Sequence, residues 1–179
     1  MDDLDDLDHR LLSALHGLGT DPRVAAVARG LSRAGEHGAL WFAAGLAGAA
    51  ADRPRRGAWL RGTALTAGAH LASMGVKRIV RRPRPGHVEP RVRTAGRHSF
   101  PSSHATSAAA AAVAFGALGA RSAAPVAAAM CVARLVVGVH YPSDVAAGAV
   151  LGALTARLGG RWMAAGTGRP ATSAGSIHD

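Results

Sequence analysis

The sequence predicts an all-α protein: a multi-helix membrane bundle of about five transmembrane helices, preceded by N-terminal amphipathic helices. Three observations lead to this prediction. Hydrophobic residues make up 49% of the chain, and only 4% of the residues are aromatic. Long uncharged runs alternate with arginine-rich turns, and leucines repeat at helical spacing near the N-terminus. The abundant Ala and Gly let helices pack closely in lipid, although a soluble all-helical bundle is the alternative.

Residues 1–35 are predicted to form two amphipathic helices. In the first, aspartates crowd the N-terminal turn and the leucines share one helical face. These leucines are Leu4, Leu7, Leu11, Leu15 and Leu18. Asp21 and Pro22 then cap and begin the second helix. Its apolar side carries Val24, Val27, Ala28 and Leu31. For both helices we favour plain packing against the rest of the chain over a position at an interface.

Residues 36–164 are predicted to form the helical membrane domain, and residues 165–179 a disordered tail rich in Gly, Ser and Thr. Most of the uncharged runs are shorter than the roughly 18–20 residues of a bilayer span. Flanking residues that can reach the interface extend them to a sufficient length. The resulting spans are 36–52, 58–76, 103–120, 122–140 and 144–163.

The formal net charge is +10, and Lys77 is the only lysine in this arginine-rich chain. A basic protein that binds nucleic acid or anionic lipid without catalysis is therefore one alternative. The arginines, however, punctuate apolar helices instead of lining one face, and aromatic residues are too few for base stacking. We therefore expect no nucleic-acid partner. A single cysteine, Cys131, excludes an internal disulfide and a Cys-based metal site, and the acidic N-terminus does not resemble a cleaved export signal.

The stretch Phe100–Thr106 begins the longest charge-free run of the chain. Pro101 suits a position at or just before a helix start, and Ser102 and Ser103 are good capping residues. We expect an apolar helix from Ala105 to Ala120. The free N–H groups and positive dipole of such a helix start attract an anion, and His104 is placed to exchange a proton beside it.

Two further patterns bring charged groups to the ends of apolar runs. Arg134, His140 and Asp144 follow one another at spacings of six and four, and Asp144 is the only acid between Glu89 and Asp179. A carboxylate near a histidine can fix its tautomer and direct the other ring nitrogen at a substrate. The third pattern is Lys77-x6-Arg84-Pro85.

Residues near these patterns have simpler interpretations. Arg78, Arg81 and Arg82 are expected to form a solvated or headgroup-facing patch. The basic loop Arg91-Val92-Arg93 is a candidate contact for a substrate headgroup.

In this order and spacing, the three patterns resemble the signature of the type 2 phosphatidic acid phosphatase superfamily. That superfamily also includes bacterial acid phosphatases and vanadium haloperoxidases. The resemblance covers residues 77–144 and departs from the common pattern at Ser103, where Gly is usual, and at Ala133, where Ser is usual. The first change preserves a backbone N–H, whereas the second removes a hydroxyl contact and puts the rate in doubt.

The resemblance implies a mechanism without metal or cofactor. His140 attacks phosphorus to form a phosphohistidine, Asp144 orients it, and His104 protonates the departing alkoxide and then activates water. The groups implied to hold the phosphate are Lys77, Arg84, Arg134 and the N–H groups of Ser102 and Ser103.

The resemblance also implies a function: hydrolysis of a lipid phosphomonoester or pyrophosphate by a membrane-embedded enzyme. The candidate substrates are a polyprenyl phosphate, a phosphorylated polyprenyl sugar and a phosphatidate. The alternatives are a weak or inactive member that only binds lipid phosphate, and a vanadate-dependent haloperoxidase. No oligomeric state is predicted.

If each apolar run crosses the membrane once, all three patterns lie on the same side. Outside the phosphate-binding loops, more arginines fall on the opposite side. By the positive-inside rule, we expect the active site on the outer face of the plasma membrane.

Overall fold

The computed structural model describes residues 2–94 and 96–165. Eight α-helices follow one another in these ranges, and no β-strand is formed there. The helices are α1 Asp2–Gly17, α2 Pro22–Ala34, α3 Ala39–Ala51, α4 Arg56–Val80, α5 Ser103–Gly116, α6 Ala123–Val136, α7 Pro142–Leu158 and α8 Gly160–Ala164. Short 3-10 helices occupy Leu18–Thr20, Glu36–Gly38 and Arg53–Arg55. The all-α class is therefore confirmed. The predicted tail, residues 165–179, lies outside the described residues apart from Ala165.

Each of the five expected spans overlaps one of the helices α3 to α7, but the helix ends differ from the prediction. The helix expected to run to Ala120 ends at Gly116, and Gly119 then turns the chain with a φ of +91°. The next helix ends at Val136, before Gly138 with a φ of +74°. Only Gly adopts such positive φ values readily, so these turns shorten α5 and α6.

The helices are therefore shorter or more polar than the five transmembrane spans that the sequence predicts. Helices α3, α5 and α6 have 13, 14 and 14 residues, and the longer α4 includes Arg56, Arg61, Lys77 and Arg78. In residues 2–94 and 96–165, no helix combines the length and the apolar character needed to cross a bilayer.

Helix α5 lies at the centre of the bundle, where it packs against α4, α6 and α7. Its buried side chains are mostly alanines, so neighbouring backbones approach closely. At Gly152 of α7, a Cβ atom would lie 2.0 Å from the Thr106 carbonyl oxygen, and at Gly148 it would lie 2.5 Å from the Ser102 carbonyl oxygen. Helices α5 and α7 are thus in near backbone contact at the ends that carry two of the three motifs.

Helices α1 and α2 pack against the bundle, α1 on α6 and α7 and α2 on α6. The apolar faces predicted for them are partly wrong. In α1, Leu4, Leu7 and Leu11 are exposed, whereas Asp8 and Leu12 are buried. Leu18, in the 3-10 helix that follows α1, is exposed as well. This orientation of α1 is explained by hydrogen bonds. Asp8 accepts them from Ser143 at the start of α7, so the side of α1 that carries Asp8 faces the bundle.

Helix α2 shows the same preference for small residues at the contact. Its buried residues are Ala25, Ala28 and Ser32, while Val24 and Val27 are exposed. Its start follows the prediction, because the Asp21 side chain accepts from the backbone N–H groups of Arg23 and Val24.

Candidate active site

A cavity of about 660 Å³ opens among the C-terminal end of α4, the loop that follows it and the starts of α5 and α7. The structure brings six of the eight predicted site residues to its wall: Lys77, Arg84, Ser103, His104, Arg134 and His140. The other two, Ser102 and Asp144, are fully buried next to it. The three motifs therefore converge on one site.

The start of α5 is held by hydrogen bonds to two neighbouring elements. Ser102 is the N-cap residue, and its hydroxyl accepts from the Ala105 N–H at 3.5 Å. Its own N–H donates to the Asp144 carbonyl oxygen at 2.9 Å, so this N–H is not free for a phosphate as predicted. Ser103 is the first helical residue, and its N–H has no acceptor within its own helix. The Ser103 hydroxyl lies 2.8 Å from that of Ser73 on α4.

The first turn of α5 presents His104 to the cavity. The Nε2 atom of its ring lies 3.0 Å from the backbone carbonyl oxygen of Ser32 on α2. A carbonyl only accepts, so this contact is a hydrogen bond when Nε2 carries the proton. The Nδ1 atom is then the nitrogen left to exchange a proton. A residue of α2, outside the three motifs, thus orients this ring.

The turn before α7 holds His140 and Asp144, both buried. The distance from His140 Nδ1 to Asp144 Oδ2 is 3.6 Å, which is within ion-pair range but longer than a hydrogen bond. Such pairs commonly tighten when substrate binds. Asp144 Oδ2 accepts from the Tyr141 N–H at 2.8 Å, and Oδ1 accepts from Arg82 Nη1 at 3.1 Å. The Nδ1 side of the ring faces the carboxylate, which leaves Nε2 as the nitrogen available to a ligand in the cavity.

Three cations surround the cavity without a carboxylate partner in the described part of the chain. Lys77 Nζ donates to the carbonyl oxygens of Pro101 and Ser99 at 2.6 and 3.0 Å. Arg84 donates to the carbonyl oxygen of Val139 at 2.7 Å. Arg134 is only 4% exposed, and its Nε atom has no hydrogen-bond partner among the described residues. Buried cations without counter-ions are costly, and a bound anion would remove that cost.

The positive field also acts on the cations themselves. Burial is the main cause that lowers the pKa of Lys77 to about 8. The neighbouring Arg84 and Arg134 guanidinium groups contribute to this shift, and Asp144 opposes it. Burial likewise lowers the pKa of Arg84. A dianion placed among these groups would favour their charged forms. The arrangement therefore has the charge to accommodate a phosphate-like dianion.

The two departures from the common family pattern lie in different surroundings. Ser103 lines the cavity with its hydroxyl next to Ser73. Ala133 is buried in an apolar cluster with Ala28 and Val136. Their effect on the rate stays a prediction.

Several residues of the site did not emerge from the sequence. Arg82, expected to be solvated, donates to Asp144 and forms an ion pair with Asp8 of α1. The far side of the cavity is lined by further polar residues, including Glu36, His37, His70, Arg91, Arg93 and Arg97. Of these, only Arg91 and Arg93 were singled out from the sequence, because the loop that contains them is basic. In residues 2–94 and 96–165, no group of three or more His, Cys, Asp or Glu is placed to hold a metal, and metal independence stays a prediction.

The chain matches known proteins over most of its length. The model of the PAP2 superfamily matches residues 58–167. A decaprenylphosphoryl-5-phosphoribose phosphatase of Mycolicibacterium smegmatis is 44% identical over 141 residues, covering 77% of this chain and 78% of that protein. Proteins of the same name from two strains of Mycobacterium tuberculosis are 45% identical over 135 residues, covering 74% of this chain and 76% of theirs.

One solved structure has a similar fold. It is a transmembrane PAP2 type phosphatidylglycerolphosphate phosphatase from Bacillus subtilis, with a TM-score of 0.50 and 20% identity. The match covers 87% of this chain and 76% of that protein. At this level of identity, the likeness concerns the fold alone.

Proposed function

Because the chain belongs to the PAP2 superfamily, we propose that it is a membrane-embedded phosphatase that hydrolyses a phosphomonoester of a polyprenyl-type lipid. One observation carries the proposal: three cations without counter-ions surround a cavity that also presents two histidines. Lys77, Arg84 and Arg134 match the charge spread over a phosphoryl group in its transition state. His140 and His104 supply a nucleophile and a proton donor.

In the proposed first step, His140 Nε2 attacks phosphorus while the bond between phosphorus and the leaving oxygen breaks. The protonated Nδ1 of His104 gives its proton to that oxygen, and a phosphohistidine remains. The position of Asp144 near His140 Nδ1 supports its role in orienting the ring and stabilising its positive charge.

In the second step, water loses a proton to His104 and attacks phosphorus. The bond between phosphorus and nitrogen breaks, and inorganic phosphate leaves. Lys77, Arg84, Arg134 and the Ser103 N–H hold the phosphoryl oxygens throughout. They supply the positive charge that a metal ion supplies in other phosphatases.

The size and lining of the cavity support a phosphorylated polyprenyl sugar as the substrate class. A volume of about 660 Å³ is that of a site for a whole small molecule, larger than one phosphate needs. Glu36 and His37 on the far wall can bond sugar hydroxyls, and Arg91 and Arg93 can pair with a second phosphate. The name of the relatives, decaprenylphosphoryl-5-phosphoribose phosphatase, describes a lipid with these features.

We place the enzyme in the plasma membrane, with its site open to the outer face. Large apolar side chains are exposed on several helices, which is unusual for a protein surrounded by water. They include Leu46 on α3, Leu71 on α4, and Val150 and Leu154 on α7. An Arg93→Cys variant in a Cys131→Ala background should react with an impermeant thiol reagent in intact cells. Labelling only after lysis would reverse the orientation.

The proposal is tested by phosphate release from the full chain in detergent micelles with EDTA present. The panel is a polyprenyl monophosphate, a polyprenyl phosphoryl pentose phosphate and a phosphatidate. We expect the fastest release from the pentose phosphate, and inhibition by vanadate, which resembles five-coordinate phosphorus. No release from any of the three would overturn the proposed function. Activity that needs an added divalent ion would overturn the metal-free mechanism.

A further inference from the structure

An acid of the N-terminal helix is buried beside the proposed active site. Asp8 lies in α1 and is only 6% exposed. Its Oδ1 atom accepts from the Ser143 N–H at 2.9 Å, and Oδ2 accepts from the Ser143 hydroxyl. Oδ2 also lies 2.9 Å from Arg82 Nη2. Asp8 therefore contacts the start of α7 and the loop after α4 at once.

Arg82 carries this contact to the catalytic carboxylate. Its Nη1 atom donates to Asp144 Oδ1 at 3.1 Å and to the Ser143 hydroxyl at 2.7 Å. Its guanidinium carbon lies 4.1 Å from the centre of the Tyr141 ring. One end of the planar guanidinium thus holds the buried Asp8, with the exposed Asp5 farther away at 3.4 Å from the same nitrogen. The other end holds Asp144, and an aromatic ring lies against the guanidinium face.

The two oxygens of Asp144 have separate tasks in this arrangement. Oδ2 faces His140 Nδ1 at 3.6 Å, while Oδ1 is bound by Arg82. A guanidinium paired with Asp144 alone would compete with the imidazole for the negative charge of that carboxylate. Because Asp8 supplies a second anion to Arg82, the guanidinium stays between the two acids and Asp144 remains aligned with His140.

We propose that Asp8 is a positioning residue of the active site, which acts through Arg82 and Ser143 on the Asp144 carboxylate and so on the orientation of His140. This inference rests on the proposed function. The way α1 packs supports it. Leu12 is buried as packing requires, but α1 leaves Leu4, Leu7 and Leu11 exposed. It buries the acid Asp8 as well, which packing alone does not explain.

The test is a double-mutant cycle between Asp8→Asn and Asp144→Asn, assayed on the polyprenyl phosphoryl pentose phosphate. Asparagine keeps the shape of Asp8 and an oxygen for the Ser143 N–H, but removes the charge that holds Arg82. In the wild-type background we expect kcat to fall about tenfold, with KM changed less than about twofold. In the Asp144→Asn background the same change should lower kcat less than about twofold, because the group that it positions is already altered. The matched control is Asp6→Asn, an exposed acid on the same helix, which should leave kcat unchanged.

Each outcome of the cycle decides the inference. Equal losses in both backgrounds would mean that Asp8 only stabilises the fold, and wild-type kcat in Asp8→Asn would mean that it has no role; either result overturns the proposal. If Asp8→Asn does not fold, Arg82→Lys in the same cycle decides, since lysine keeps the charge but lacks the two-ended geometry. A wild-type enzyme that releases no phosphate from the panel would overturn the proposed function, whereas an active wild type with an additive cycle overturns this inference alone.

Discussion

Arg82 lies on one side of the candidate site, and Arg84 and Arg134 lie on the other. Their electrostatic surroundings are opposite. Arg82 has ion-pair partners in Asp5, Asp8 and Asp144. Across the site, Arg84 and Arg134 have no carboxylate partner among the described residues, and Arg84 bonds only backbone carbonyls there. The compensated arginine joins elements of the fold to each other, whereas the uncompensated ones keep a charge available for a ligand. Charge alone therefore does not single out a candidate binding residue. A cation of the cavity wall that is at least partly buried and has no counter-ion is the better candidate.

The largest loss of activity should come from replacing the two histidines of the cavity, which lie on the side of Arg84 and Arg134. His140→Ala and His104→Ala should each lower phosphate release by about 10⁴-fold or more, because each removes a bond-making or proton-transferring group. Asp144→Asn should retain slow turnover, since orientation is degraded while the nucleophile remains. The measurement is kcat on the pentose phosphate lipid, with circular dichroism to verify folding. Wild-type activity in His140→Ala would exclude the phosphohistidine mechanism.

The two kinds of arginine should differ most clearly in how their replacement changes the free energy of unfolding. Arg82→Met leaves Asp8 and Asp144 without a cation, and we expect a loss of roughly 2–4 kcal/mol in the free energy of unfolding. Arg134→Met removes a buried charge that has no counter-ion, and should leave stability unchanged or raise it by about 1–2 kcal/mol while abolishing activity. Denaturant unfolding of both variants in the absence of phosphate measures the difference. Shifts of the same sign in the two variants would contradict the comparison.

A bound anion should give Arg84 and Arg134 the counter-ion that Arg82 already has, and so stabilise the fold. Inorganic phosphate at about 100 times its dissociation constant should stabilise the wild type by about 2.7 kcal/mol. Arg134→Met should lose most of this gain, whereas the Asp6→Asn control on α1 should keep it. The melting temperature with and without phosphate is the readout. A full gain in Arg134→Met would show that phosphate binds elsewhere.

The smallest effect concerns pH. Because burial lowers the pKa of Lys77 to about 8, this group loses its charge in the free enzyme as the pH rises through that value. A phosphate dianion binds better when Lys77 is charged. The affinity for phosphate should therefore be highest below pH 8 and fall by up to about tenfold per pH unit above it. Titration of phosphate between pH 7.5 and 9.5 tests this, and Lys77→Arg should flatten the profile, since arginine stays charged. A profile of the same slope in both proteins would assign the pH dependence to another group.

The three motifs of the candidate site could be recognised in the sequence because each is a local pattern at a helix end. Pro101 and Ser102 mark the start of α5, and the spacing from His140 to Asp144 places both at the start of α7. Ordered along the chain, such patterns identify the site before any contact is known. The helix ends were less predictable, since the positive φ values of Gly119 and Gly138 shorten two helices within apolar runs.

The supporting residues could not be predicted, because their partners are distant in the chain. Arg82 and Arg84 lie two positions apart in one basic run, and in the described part of the chain only Arg82 pairs with acids. Its partners are Asp5, Asp8 and Asp144, which lie between 62 and 77 positions away in the chain. The apolar face of α1 was predicted from its largest side chains, yet an acid decided which side turned inward. The hydrogen bond from the Ser102 N–H to the Asp144 carbonyl oxygen likewise joins two motifs that the sequence treats as separate.

That last hydrogen bond has a consequence for how such an enzyme can diversify. It ties the starts of α5 and α7 together, and the near backbone contact at Gly148 and Gly152 leaves no space for either helix to shift. His104 and His140, the proposed proton donor and nucleophile, therefore belong to one rigid block. Under the proposed function, substrate preference can change in the cavity walls outside this block, which include the end of α2, the turn that follows it and the loop between α4 and α5. Mutational drift in those segments can alter which lipid is accepted while the chemistry of phosphate release stays the same.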